Sequence, residues 1–273
     1  MYIKIIFLLL VTLFFSACGN KENKDDDIYI DWFKPSLSAT WQWQLTGELN
    51  INYNVDIYDI DLFDTPVEVI KEIQGKNKKV ICYFSAGSYE EWRNDSSIFA
   101  SDILGNNLDG WIGEKWLDIR SNKVFEIMNS RLELAKNKGC DGVEPDNVDG
   151  YANDTGFSLT YTDQLIYNKK LANRAHELGL SIGLKNDLEQ IQDLEEYFDF
   201  ALNEQCNEYL ECELLLPFIS NKKPVFNAEY SDVYINDTVK YNDMCNKSNS
   251  IKINTLLLPM NLDDSFRKSC LDI

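Results

Sequence analysis

The chain is predicted to belong to the α/β class and to fold as a single (β/α)8 TIM barrel. Three observations predict this. Short apolar runs rich in Val, Ile, Phe and Tyr alternate with amphipathic, helix-like runs along a 273-residue chain. Helix-like runs hand directly to the next apolar run, as the repeating βα unit of a parallel sheet does. The part of the chain from residue 28 to 273 has the length of one such barrel, typically ~250 residues.

The strand-like runs are 40–45, 55–60, 79–84, 115–119, 141–144, 181–184, 198–203 and 224–228. They are short and apolar, as strands buried on both faces are. A ninth run, 255–258, is left over and is expected in a C-terminal extension, as an extra strand or a late loop. Thr65-Pro66-Val67-Glu68 combines an N-cap, a first-turn proline and a capping-box acid, followed by the apolar stripe Val69, Ile70 and Ile73. Ser121 opens a second helix, whose face is Val124, Phe125, Met128 and Leu132 and which Gly139 closes. Thr162 or Asp163 opens a third, closed by Gly179. Residues 87–114 break the rhythm after the third run. They are polar and aromatic, with Tyr89, Trp92 and Trp111, and read as an elaborated loop at the C-terminal mouth, where βα loops build substrate clefts.

The leading residues read as an export signal over 1–17: Lys4, an apolar run, then Ser16-Ala17-Cys18-Gly19. The apolar run is shorter than the ~20 residues that a spanning helix needs. A cysteine just past the cut resembles a bacterial lipoprotein signal, so Cys18 is expected to be acylated. The protein is then exported and held in the bacterial cell envelope, at the outer membrane or cell surface, with the lipid anchor as its membrane contact. Residues 18–27 form a polar tether with nothing to bury. The remaining domain, 28–273, is expected to be monomeric.

The net charge is −19. Loss of residues 1–17 removes Lys4 alone, leaving 25 basic against 45 acidic side chains, or −20. Such acidity excludes nucleic acid as a partner and disfavours anionic polysaccharides, but it attracts a cationic glycan. The one histidine, His176, lies inside a predicted helix away from the mouth, which removes histidine-centred catalysis. Cys82 and Cys140 fall in or beside apolar runs and are expected as buried thiols. Cys206, Cys212, Cys245 and Cys270 are the better candidates for bridges, in a pairing that sequence does not fix. No metal or other cofactor is expected: the cysteines lack the close spacing of a zinc site, and the histidine is far off.

The densest functional signal is Asp141-Gly142-Val143-Glu144-Pro145-Asp146-Asn147-Val148-Asp149-Gly150-Tyr151. Asp146 ends the fifth strand-like run and Glu204 the seventh, so in a barrel both face one mouth. Glycoside cleavage needs such a pair, one carboxylate to attack or to activate water and one to protonate the leaving oxygen. Asn147, Asp149 and Asn203 stand beside them. Asp59 and Asp61 after the second run, and Glu229 and Tyr230 after the eighth, are placed to contact sugar hydroxyls or an amino group. Trp43, Tyr83 and Tyr151 offer faces on which sugars stack and near which cations gain. Lys185, at the end of the sixth run, is placed to pair with the acids and keep one ionised.

Taken in order, Trp41-Gln42-Trp43-Gln44-Leu45, Asp59-Ile60-Asp61, Cys82-Tyr83-Phe84-Ser85-Ala86-Gly87, Trp116-Leu117-Asp118-Ile119-Arg120, Asp141–Tyr151, Lys185-Asn186, Asn203-Glu204-Gln205-Cys206 and Lys223-Pro224-Val225-Phe226 resemble glycoside hydrolase family 114. These are the endo-α-1,4-polygalactosaminidases, and the resemblance runs from Trp32 to Cys270. It implies a (β/α)8 barrel, endo-acting hydrolysis with retention, and a substrate rich in α-1,4-linked galactosamine. It also points to Asp146 and Glu204 as the catalytic pair; we assign Asp146 as nucleophile and Glu204 as acid/base, an order the sequence itself does not fix. The lipoprotein-like start departs from the secreted members. Two other readings stand beside this one: a non-catalytic glycan-binding lipoprotein on the same barrel, and a glycosidase for a different α-glycan.

Overall fold

A computed structural model describes residues 31–273; the signal segment, Cys18 and the tether lie outside the described residues. In chain order the strands are β1 (Trp41–Gln44), β2 (Ile57–Asp61), β3 (Lys79–Ser85), β4 (Ser88–Glu90), β5 (Leu104–Asn107), β6 (Glu114–Leu117), β7 (Gly142–Asp146), β8 (Ser181–Lys185), β9 (Phe200–Glu204), β10 (Val225–Glu229), β11 (Ile253–Leu257) and β12 (Lys268–Ser269). The helices are α1 (Val67–Gly75), α2 (Asn122–Lys138), α3 (Tyr161–Glu177), α4 (Ile191–Leu194), α5 (Leu216–Ser220), α6 (Asp232–Asn236) and α7 (Thr238–Ser250).

Strands β1, β2, β3, β7, β8, β9, β10 and β11 are neighbours in that order and pair in parallel, which makes the eight staves of the expected barrel. β12 adds an antiparallel edge to β11. Two expected strands change place. The run 115–119 is no stave: β6 lies at the centre of a three-stranded antiparallel leaf, β4-β6-β5, inserted between β3 and α2. Its Lys115 points to solvent between buried neighbours, the alternation of a one-sided sheet. The run left over in the sequence supplies the eighth stave, β11, which is buried at every position. Asp146 therefore ends the fourth stave rather than the fifth, Lys185 the fifth rather than the sixth, Glu204 the sixth rather than the seventh, and Glu229 the seventh rather than the eighth.

Alternate residues of each stave point into the barrel. Trp41, Trp43, Ile57, Ile81, Phe200, Leu202, Phe226 and Leu256 form its apolar filling. Gly183 makes room for it: a Cβ there would lie 2.3 Å from the Phe200 ring. The opposite faces, with Val80, Val143 and Ile182, pack against Ile70 and Ile73 of α1, Met128 and Leu132 of α2, and Leu171 and Ala175 of α3. Burying each such side chain contributes about 1.5–3 kcal/mol.

Ser121 caps α2 by accepting from the Lys123 amide, and Gly139 ends it in the left-handed conformation at φ 87°. α3 begins earlier than expected, because Thr160 and Asp163 form a reciprocal capping box. The cap expected from Thr65 is not made; α1 starts behind Pro66 without a side-chain cap. The cysteines form three bridges, Cys82–Cys140, Cys206–Cys212 and Cys245–Cys270. The first corrects the expectation of buried free thiols. Cys82 lies in β3 and Cys140 just ahead of β7, the strand beside it, a proximity that a separation of 58 residues conceals. Between β1 and β11 the wall is joined by side chains and loops: Trp41 Nε1 donates to Asn254 O (3.2 Å), Asn254 Nδ2 to Ala39 O (2.8 Å), and the Leu45 amide to Leu262 O (3.1 Å).

Candidate active site

Three adjacent staves end alike. Asp146, Lys185 and Glu204 close β7, β8 and β9. The residue after each, Asn147, Asn186 and Gln205, turns through the left-handed region at φ 60°, 48° and 62°. Non-glycine residues seldom adopt that conformation, and Asn does so most readily. The sharp turns leave the strand-end side chains projecting at the C-terminal mouth, where active sites of this fold are built.

Lys185 is the hub. It is 2 % exposed, and its Nζ lies 3.1 Å from Glu144 Oε1, 3.1 Å from Asp146 Oδ1 and 3.3 Å from Glu204 Oε2. The three N–H donors of an ammonium thus meet three carboxylates. The oxygens of Asp146 and Glu204 that share it can be no more than 6.4 Å apart, 3.1 plus 3.3 Å. Nζ also lies 4.7 Å from the centre of the Trp43 ring. Burial opposes the lysine's charge, but Asp146, Glu204 and Glu144 outweigh it and lift its pKa well above the ordinary value.

Each acid has a phenol partner. Tyr83 donates to Asp146 Oδ2 (2.9 Å) and Tyr230 to Glu204 Oε1 (2.5 Å). Burial, reinforced by the charge of the acid each one serves, raises both phenols well above their usual pKa, so they remain donors. The Asn147 amide donates to Asp146 Oδ1 at 2.8 Å. Asn186 Oδ1 accepts from the Glu204 amide and from Asn203 Nδ2, fixing the end of β9.

Beneath the hub lies a second pair, Asp59 and Glu144, 1 % and 0 % exposed. Burial raises both pKa values; the neighbouring Asp59 charge raises Glu144 further, while Glu144 and the charge of Lys185 pull Asp59 back down. Two carboxyl groups buried together disfavour being ionised at the same time.

Above the hub opens a cleft of about 570 Å³. Its floor is Trp43, Tyr83, Asp146, Asn147, Asp149, Lys185 and Glu204, and its wall comes from the antiparallel leaf through Asn106–Asp109, Trp111 and Glu114. The lining holds six carboxyl groups (Asp109, Glu114, Asp146, Asp149, Asp154 and Glu204) and one base, Lys185, whose charge is already engaged. Burial lifts Asp149 to about 6, with Asp146 adding to it. Burial also lifts Glu114 to about 7 against a hydrogen bond from Ser88.

Of the residues singled out in the sequence, Trp43, Tyr83, Asp146, Asn147, Asp149, Lys185 and Glu204 meet in this cleft. Tyr230 reaches it through Glu204. Tyr151 and Asn203 line an adjoining hollow. Three of the acids stand away from the lining. Asp59 is beneath the hub. Asp61 binds Arg93 (2.7 Å) and accepts from the Phe63 and Asp64 amides. Glu229, 0 % exposed, accepts from the Asn207 amide and side chain and from Asn227. These two are consumed by internal partners. Glu114 and Trp111 are additions that the sequence offered only as parts of a long polar loop. His176 packs under Trp32 and pairs with Asp199, far from the cleft.

The sequence profile of glycoside-hydrolase family GH114 matches residues 24–273. The chain belongs to glycoside-hydrolase family GH114. Among solved structures, Aspergillus fumigatus Ega3 in complex with galactosamine is 42% identical with a TM-score of 0.83, over 88% of this chain and 98% of that one. Two others share the fold alone. The glycoside hydrolase domain of Pseudomonas aeruginosa PelA is 10% identical with a TM-score of 0.65, over 83% of this chain and 96% of that one. Eubacterium rectale Amy13B is 10% identical with a TM-score of 0.56, over 81% and 64%. No functionally curated protein sequence matches. The cluster around Lys185 occupies the C-terminal mouth of this barrel.

Proposed function

We propose that this GH114 glycoside hydrolase cuts within an α-1,4-linked, galactosamine-rich polysaccharide, with Asp146 as nucleophile and Glu204 as acid/base. The observation that carries the assignment is the single ammonium of Lys185 between the two acids, which caps the separation of the bridged oxygens at 6.4 Å. Tetrahedral donors spread acceptors to about 5 Å, the spacing of retaining enzymes, whereas inverting pairs stand ~6.5–9.5 Å apart to admit a water. Asp146, hydrogen-bonded by Tyr83 and paired with Lys185, attacks the anomeric carbon as Glu204 gives its proton to the leaving oxygen. A covalent glycosyl-enzyme forms. Glu204 then takes a proton from water, which displaces Asp146 and restores the starting anomer.

The acidic cleft suits an ammonium-bearing polymer, and the galactosamine bound to Ega3 supports that class.

Incubation of the purified domain with de-N-acetylated galactosamine polymer should release new reducing ends that keep the α-configuration when read by NMR. Asp146→Asn and Glu204→Gln should each lose at least about 100-fold in turnover with little change in melting temperature. Wild-type rates in either variant would remove that residue from the chemistry. Cys18 acylation and an envelope location complete the proposal, placing the barrel on a short tether beside the polymer it trims.

A further inference from the structure

A second hollow, about 330 Å³, opens on the far side of Glu204 between the turns that follow β7, β8 and β9. We propose that it is a binding site for one further aminosugar unit, in which the Asp187 carboxylate receives the ammonium and the rings of Tyr151 and Tyr209 flank the sugar. The inference rests on the substrate class proposed above and adds where the free amine is read.

Four observations carry it. Asp149, Asn186 and Glu204 line both the cleft and the hollow, so the two form one continuous track. Asp187 is 4 % exposed and lines the hollow. Its Oδ2 accepts from Asn168 Nδ2 at 2.9 Å, but its Oδ1 has no partner. Asn203, also buried and lining the hollow, likewise has an unpartnered Oδ1. Buried acceptors without donors in the lining of one hollow are what a donor-rich cation would satisfy. Finally, the lining holds five carboxyl groups (Asp149, Asp187, Glu189, Glu204 and Glu211) and no base.

Asp187 is posed rather than loose. It stands in the left-handed conformation at φ 49°, and the Asn168 side chain that grips it also donates to Val148 O (2.9 Å). Tyr151 is fixed by its hydroxyl bond to Glu189 Oε2 (3.2 Å), whereas Tyr209 is 62 % exposed and free to lie along a sugar face. Burial, then the neighbouring Asp149, pushes the Asp187 pKa to about 9, so at neutral pH its carboxyl holds a proton. An entering ammonium supplies the counter-charge, and that proton passes to solvent. An N-acetyl group brings no charge and leaves it in place.

Asp187→Asn keeps an acceptor for Asn168 and preserves the fold. On a long de-N-acetylated galactosamine oligomer it should lose about tenfold in kcat/KM, mostly through KM. The preference over the N-acetylated oligomer should fall by the same factor. Calorimetry in buffers of different ionisation enthalpy should show a proton released on binding to wild type and not to the variant, a readout that a merely structural role would not move. Tyr209→Ala, at an exposed position, should raise KM independently. Wild-type KM, preference and proton release in both variants would overturn the site. If the wild type neither binds nor cuts the de-N-acetylated oligomer, the substrate class fails and the hollow's assignment falls with it.

Discussion

Lys185→Met tests the centre of the molecule. Methionine fills a similar volume, so the variant removes charge and hydrogen bonds more than packing. Three carboxylates lose their shared partner in a place where the lysine is 2 % exposed and Glu144 is fully buried. Breaking a buried pair costs about 3–5 kcal/mol. A domain of this size loses about 2–4 °C of melting temperature per kcal/mol, so the fall at neutral pH should be roughly 6–20 °C. The sign of the pH dependence is fixed. Without the ammonium the buried Glu144, which burial already raises, is protonated more readily in the folded than in the unfolded chain. Its raised folded pKa penalises stability only as pH climbs above the unfolded value near ~4. The deficit should therefore be small at acid pH and full above neutrality. Wild-type Lys185, with its pKa lifted well above lysine's ordinary value, holds its contribution across this whole range. Denaturant titrations of both proteins from acid to mildly alkaline pH measure it. A variant as stable as wild type at alkaline pH, or a deficit that shrinks as pH rises, would refute the hub.

Gly87→Ala should lose both activity and stability, because a Cβ there would sit 1.7 Å from Asn147 O, in the turn that presents Asp146; a variant with normal melting and turnover would show that the turn yields freely. Replacing Cys82 and Cys140 together by Ala should cost about 4 kcal/mol from the 58-residue closed loop, visible as a drop of roughly 8–16 °C, and a shift under about 3 °C would count against the bridge. Cys18→Ala should abolish incorporation of labelled palmitate and release the protein from the membrane fraction, and labelling that persists would place the lipid elsewhere.

The barrel and the principal acids were legible because both are written in local pattern. A stave is a short apolar run, and Asp146, Lys185 and Glu204 each sit at the end of one. Counting staves failed at β6, since four residues of a small antiparallel leaf look like a stave until their one-sided burial is seen. It failed again at β11, which was the stave all along. Asp61 and Glu229 stood at strand ends as convincingly as Asp146. What separates them is a partner distant in sequence, Arg93 for one and Asn207 for the other. The same holds for the buried pair Asp59 and Glu144 and for the Cys82–Cys140 bridge: each joins residues far apart in the chain, and periodicity carries no distances. The unpartnered Oδ1 of Asp187 was hidden for the converse reason, because an empty place beside an atom leaves no trace in the letters.

A hoop parts at its join. Seven of the barrel's eight boundaries are laced by main-chain ladders, while the one between β1 and β11 is stitched by a few side chains and loop carbonyls. Leu45, Met260 and Leu262 flank that stitching and also line the cleft. Warming or denaturant should undo the seam before the helices melt, so loss of turnover should precede loss of ellipticity. Reinforcing this one edge is the shortest route to a hardier enzyme.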